Sequence, residues 1–131
     1  MNILLVDDDY ILAKSTAKLL ERLGGHQVHI TGEPAEIFQR CESGVVDLVM
    51  MDVNLGGALW QGKPVSGADV SYILKTQHQT AHIPIILVTA YAMLLEQKTL
   101  LETSRADKFC AKPITNYEDF LESIAQLWQL Y

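Results

Sequence analysis

Five short apolar runs rich in β-branched residues recur along this chain, at residues 3–6, 27–30, 48–51, 85–88 and 108–111, and they constrain the fold more than any other feature. Most are apolar at successive rather than alternate positions, so both faces of each strand need cover. Strands of this kind form a parallel sheet with helices on either side. The expectation is an α/β, doubly wound chain in three layers.

Between the runs the period changes. Over residues 10–23, apolar side chains at 12, 16/17, 19/20 and 23 keep a helical step, and Gly24-Gly25 supplies a stop. Pro34 suits a first helical position near the start of residues 33–41. Tyr117, Phe120, Leu121, Ile124, Leu127, Trp128 and Tyr131 step by three and four after Thr115-x-x-Glu118, which predicts an amphipathic last helix opened by a capping box. Leu94, Leu95, Leu100 and Leu101 crowd another helix; most belong in the core, and any left exposed beside Phe109 and Trp128 would form a contact patch. The one irregular stretch, residues 56–66, holds Gly56, Gly57, Gly62 and Pro64 and is long enough to be a functional loop.

A length of 131 residues suits a single domain over residues 1–131. Sixteen acidic against 10 basic side chains give a net charge of −6, which disfavours direct nucleic-acid binding. Residues 83–95, the longest uncharged apolar stretch, contain Pro84 and fall short of the ~20 residues a membrane span needs. The N-terminus runs into acids without a basic leader, so a cytoplasmic chain is expected. Cys41 and Cys110 form no C-x-x-C pair and read as small buried hydrophobes. His26 with His29, and His78 with His82, lack nearby partners for a metal centre and read as surface or satisfied side chains.

In a doubly wound sheet the site forms where the carboxyl ends of the strands meet. Strand one ends in Asp7-Asp8-Asp9, strand three in Asp52, strand four in Thr89-Ala90 and strand five in Lys112-Pro113. Crowded carboxylates require a raised pKa or a bound hard cation, and Mg²⁺ suits better than Ca²⁺ because no loop of alternating acids is present. The Lys112 ammonium and Thr89 hydroxyl would complete a cradle for a phosphoryl group held on or beside a carboxylate.

Leu4-Leu5-Val6-Asp7-Asp8-Asp9, Asp47-Leu48-Val49-Met50-Met51-Asp52-Val53-Asn54-Leu55, Val88-Thr89-Ala90 and Asp107-Lys108-Phe109-Cys110-Ala111-Lys112-Pro113, in that order, resemble the receiver domain of two-component response regulators. The resemblance implies a flavodoxin-like sheet of order 2-1-3-4-5. It makes Asp52 the phosphoacceptor and gives Mg²⁺ to Asp7, Asp8, Asp52 and the backbone carbonyl of Asn54. Thr89, followed by Ala90, becomes the switch hydroxyl, Phe109 the aromatic rotamer switch and Lys112 the phosphate-binding lysine. The implied donor is a sensor histidine kinase or a phosphotransfer protein, and the implied reader is a downstream target protein. A phosphorylation-dependent homodimer through the last helices is also open. Such a chain is a regulatory phosphoacceptor rather than an enzyme, although it assists its own phosphorylation and dephosphorylation. Since five strand-helix units use all 131 residues, no output domain is expected and the signal would leave through protein contacts.

Two features depart from the pattern. The stretch from Gly56 to Gly67 is several residues longer than the short Pro-containing loop the family usually carries, and reads as a tolerated surface insertion or as a flap with Trp60 as a partner anchor. Asp9 is a third acid, best suited to capping the first helix. Asp7-x-Asp9 also approaches the nucleophile motif of haloacid-dehalogenase-type phosphatases, with Asp7 as nucleophile and Asp9 as acid/base, but the chain leaves no room for a cap and that reaction does not require Asp52. A receiver-like interaction module that is never phosphorylated is the third reading. The complete set of site residues gives no reason to prefer it.

Overall fold

Alternate residues of each central strand point to opposite layers, and both layers are apolar. Leu4 and Val6, Val49 and Met51, and Ile85 and Leu87 share one buried cluster, which also takes Ile37, Phe38 and Cys41 of one helix and Val70 and Leu74 of another. Ile3 and Leu5, Leu48 and Met50, and Ile86 and Val88 share the other cluster with Ala13, Ala17 and Leu20 at one end of the chain and Phe120, Ile124 and Leu127 at the other. The computed structural model describes residues 1–90 and 95–129. Its elements are β1 (Asn2–Val6), α1 (Tyr10–Gly24), β2 (Gln27–Thr31), α2 (Pro34–Glu42), β3 (Leu48–Asp52), β4 (Leu59–Trp60), β5 (Lys63–Pro64), α3 (Gly67–Thr76), β6 (Ile85–Ala90), α4 (Gln97–Ser104), β7 (Lys108–Lys112) and α5 (Tyr117–Gln129).

The five longer strands are all parallel and ordered β2-β1-β3-β6-β7, as expected for a doubly wound sheet. The irregular stretch holds an element not foreseen from sequence, an antiparallel ribbon pairing Leu59 with Pro64 and Trp60 with Lys63. Gln61 and Gly62 turn it with φ of 53° and 79°, the two positive values of a type I′ hairpin.

Three local expectations shift. Of the expected apolar positions in α1, Ala17 and Leu20 are buried together with Ala13, whereas Leu12, Leu19 and Leu23 are exposed. Two alanines let the helix sit close to the sheet. The capping box at Thr115 gives way to Asn116, whose Oδ1 accepts from Asp119 N at 3.1 Å, while a full capping box forms at Ser66 and Asp69. Leu95 is 98% exposed rather than core, and Leu100 and Leu101 are half-buried. Leu94 and Tyr131 lie outside the described residues. Asp9 caps α1 as expected, its side chain accepting from Leu12 N at 3.2 Å, and Gly25 closes the helix with φ of 67°.

Cys41 is buried and Cys110 half-buried, and both are free thiols. Burial pushes the Cys41 thiol up to about 12, as an inert core residue requires. Lys75 of α3 donates to Asp107 Oδ2 at 3.0 Å and to the Ile83 carbonyl at 3.1 Å, and Asp107 Oδ2 also accepts from Ile85 N at 2.8 Å. This mostly buried pair joins α3, the entry to β6 and the entry to β7. Asp107→Ala is expected to cost about 3 kcal/mol in urea denaturation, because it removes the counter-charge of a mostly buried ammonium and the acceptor of a strand N–H together; a loss within ~0.5 kcal/mol, typical of an exposed pair, would contradict that role.

Candidate functional site

Register decides what meets at the carboxyl edge of the sheet. Val6 pairs with Met51, Asp52 with Val88, Thr89 with Ala111 and Ala90 with Lys112. Four strands therefore end side by side, and Asp7, Asp8, Asp52, Thr89, Ala90 and Lys112 fall at one edge, as the sequence spacing requires.

Lys112 Nζ donates to Asp7 Oδ2 at 2.7 Å and to Asp52 Oδ2 at 3.0 Å, bridging the two. Carboxylate oxygens of Asp7, Asp8 and Asp52 lie within 4.8 Å of one another, with Asp7 and Asp52 buried and Asp8 exposed. Backbone donors take the remaining oxygens of the buried pair: Asp9 N to Asp7 Oδ1 at 2.9 Å, and Asn54 N to Asp52 Oδ1 at 3.2 Å. The Asn54 side chain accepts from Gly56 N at 3.0 Å within its own loop.

Burial pushes the Asp52 carboxyl above the usual carboxylate range. Lys112 and the Asn54 N–H pull it down without cancelling the rise, to which the Asp7 charge adds. Burial alone would lower Lys112, but hydrogen bonds and charge from Asp7 and Asp52 outweigh it and the ammonium is held above its ordinary value. A raised lysine keeps its contribution to stability through neutral pH and loses it only as pH climbs through the raised value. A raised carboxyl acts oppositely: ionised Asp52 opposes folding, and protonation at low pH relieves it.

Three carboxylates against one ammonium leave excess negative charge on hard oxygen donors. That donor set fits a small divalent cation such as Mg²⁺, not the nitrogen and sulfur ligands typical of structural Zn²⁺. Thr89 supplies a second sign of a missing partner. Its side chain is on the α2–α3 side of the sheet by alternation with Leu87, Thr89 is 1% exposed, and its Oγ1 has no hydrogen-bond partner among the described residues. A buried hydroxyl left so costs about 1–3 kcal/mol, which points to an acceptor supplied from outside the chain.

Phe109 lies on edge strand β7, half-buried against the same apolar cluster. Trp60 is half-buried and packs on Phe38 of α2, ring centroids 4.5 Å apart. With Asp9 engaged as a cap, the second carboxylate of a dehalogenase-type pair is committed to a helix end. The histidines form no metal group among the described residues: His26 lies 3.3 Å from the N-terminal amine, His29 lies 3.5 Å from Glu36, and His78 and His82 are exposed.

Glycine contacts escaped the sequence reading. A Cβ on Gly67 would fall on the Asp52 carbonyl oxygen, so α3 begins hard against the end of β3. A Cβ on Gly56, where φ is 60°, would fall on Asp8 Oδ2. Gly-rich composition marks such a stretch as special, but which atom each glycine admits is a tertiary fact.

Over residues 3–125 the chain matches the response regulator receiver domain, and it belongs to that family. It is 28% identical over 123 residues, 94% of this chain and 92% of the relative, to the polar-differentiation response regulator DivK of Brucella ovis. Its fold is similar to that of a response regulator structure from Chloroflexus aurantiacus, with a TM-score of 0.81 and 22% identity over 98% of this chain and 97% of that one. It is similar also to the receiver domain of a sensor histidine kinase from Pseudomonas aeruginosa, with a TM-score of 0.73 and 23% identity over 97% and 95% of the chains; that structure has a magnesium ion coordinated in its active-site cleft. The chain is thus a receiver domain of the two-component type. Among the described residues no helix is long and apolar enough to cross a membrane.

Asp52→Asn removes a buried charge and keeps one acceptor for Lys112, at the loss of the acceptor for the Asn54 N–H. Without metal it is expected to melt above the wild type in a thermal scan, and a lower midpoint would overturn the electrostatic account.

Proposed function

We propose that Asp52 accepts a phosphoryl group from a phosphohistidine of a cytoplasmic sensor kinase or phosphotransfer protein, and that the modified domain is read by a downstream target protein. The observation that carries this is the Lys112 ammonium bridging Asp7 and Asp52 at the end of β3, beside a third carboxylate. One Asp52 oxygen attacks phosphorus in line; an O–P bond forms as the donor's N–P bond breaks, and the imidazole leaves and takes a proton. Asp7, Asp8, Asp52 and the Asn54 carbonyl would hold Mg²⁺, which when bound supplies positive charge to the phosphoryl oxygens. Lys112 keeps an ammonium beside those oxygens, in the place where it now meets Asp52.

The unpartnered Thr89 hydroxyl then has an acceptor in the new phosphoryl oxygens. Its movement opens space toward Phe109, whose ring has no hydroxyl to desolvate and turns inward at little cost. This links chemistry at Asp52 to the β7 edge. The chain is read as a regulatory phosphoacceptor whose output is a protein contact.

Labelling with a small acyl phosphate and Mg²⁺ tests the first step. Asp52→Asn is expected to lose the adduct; a label that survives there and disappears in Asp7→Asn would support the phosphatase arrangement instead. Lys112→Ala should slow labelling by about 10²-fold while Mg²⁺ affinity changes far less, and equal losses would contradict the assignment. Thr89→Ala should still take up phosphate yet leave target affinity unresponsive to it in a titration with and without the donor. An unchanged response would remove Thr89 from the coupling.

A further inference from the structure

Asp7 and Asp52 are each fixed by Lys112 and by a backbone N–H. Asp8 completes the carboxylate group but is exposed, and the hydrogen bonds that hold its two neighbours have no counterpart at its side chain among the described residues. What lies against its carboxylate is Gly56, at the root of the inserted loop, where an added Cβ would clash with Asp8 Oδ2 and push that side chain aside. The loop is a built structure. The Gln61-Gly62 turn closes the ribbon, Val65 N donates to the Ala58 carbonyl at 3.0 Å, and Ala58, Trp60 and Val65 pack on the apolar cluster beneath α2 and α3. A ribbon of two-residue strands has little stability of its own, so the Trp60 ring on Phe38 is its principal anchor. A cleft of about 540 Å³ opens beside this contact, bordered by Asp7, Asp8, Thr31, Glu33, Gly56 and Leu59.

We propose that the β4–β5 ribbon is a positioning element for the metal site: Trp60 seats it on Phe38, and Gly56 thereby closes against Asp8 and confines that carboxylate to the side of Asp7 and Asp52. The proposal deepens the metal-binding part of the function above and rests on it. An exposed carboxylate that would otherwise sample several rotamers is ordered in advance, so less freedom is lost when a cation binds. Supporting contacts of this kind change metal affinity without touching the ion.

Gly57 provides the control, because it shares the positive φ, 83°, yet a Cβ there meets nothing within 4 Å. Backbone strain is thus common to both positions and the Asp8 contact belongs to one. Mg²⁺ affinity is measured by isothermal titration calorimetry on the whole chain, with thermal midpoints in metal-free buffer alongside. Gly56→Ala is expected to weaken Mg²⁺ by about 10- to 100-fold, Gly57→Ala to lower the midpoint while leaving Mg²⁺ affinity near wild type, and Trp60→Ala to weaken Mg²⁺ several-fold with every site carboxylate intact. Should Gly56→Ala fail to fold, Trp60→Ala still decides. Equal affinities for Gly56→Ala and Gly57→Ala, or a Trp60→Ala chain that binds like wild type, would overturn the proposal while wild-type binding upholds the metal site. A wild-type chain that does not bind Mg²⁺ would overturn both.

Discussion

Three carboxylates held within 4.8 Å of one another repel, and the rest of the structure is arranged around tolerating that repulsion. Lys112 offsets part of it from across the sheet, at the end of a strand two removed from β3. Only a parallel sheet does this economically: every strand delivers its last residue to the same edge, so a pair distant in sequence becomes a pair in space through register alone. The apolar layers serve the same end. They bury Asp7 and Asp52 enough that the ammonium acts through a medium of low polarity, where charge counts for more than in water.

Burial has an opposing consequence, visible in Asp52 itself. Its carboxyl is held above the usual range despite a lysine at 3.0 Å, so desolvation outweighs the pairing. A site optimised for the stability of the metal-free chain would not keep this charge. The imbalance is more intelligible as readiness for added positive charge and then for a covalent partner, and strain of this sort is commonly concentrated where function lies.

The sheet and the site edge were legible because they rest on local signals: two-faced apolar runs give the strands, and the residues directly after them give Asp7, Asp52, Thr89 and Lys112. What escaped was set by neighbours distant in sequence. In α1 the leucines at 12, 19 and 23 keep as regular a helical step as Ala13, Ala17 and Leu20, and only the closeness of the sheet selects the smaller set. The ribbon was hidden because strands of two residues carry no period, and its Trp60–Phe38 contact spans 22 positions. Gly56 looked like one of many loop glycines until Asp8 was seen against it.

Charge counting also explains why a neutral hydroxyl, and not a second cationic side chain, stands ready in β6. With a divalent cation bound, the three carboxylates and the Lys112 ammonium come close to neutrality. Under the proposed function, phosphorylation of Asp52 would replace a singly charged carboxylate with a group carrying about one further negative charge and three acceptor oxygens. Lys112 can donate to some of these, but its ammonium is shared with Asp7. A neutral donor already inside the fold adds a hydrogen bond without bringing a charge that would need burial before the reaction. Thr89, unsatisfied among the described residues, would be such a donor under the proposed function, gaining an acceptor when the phosphoryl group arrives. The gain is therefore confined to the modified state, which is the condition any ligand or modification must meet to shift a conformational equilibrium.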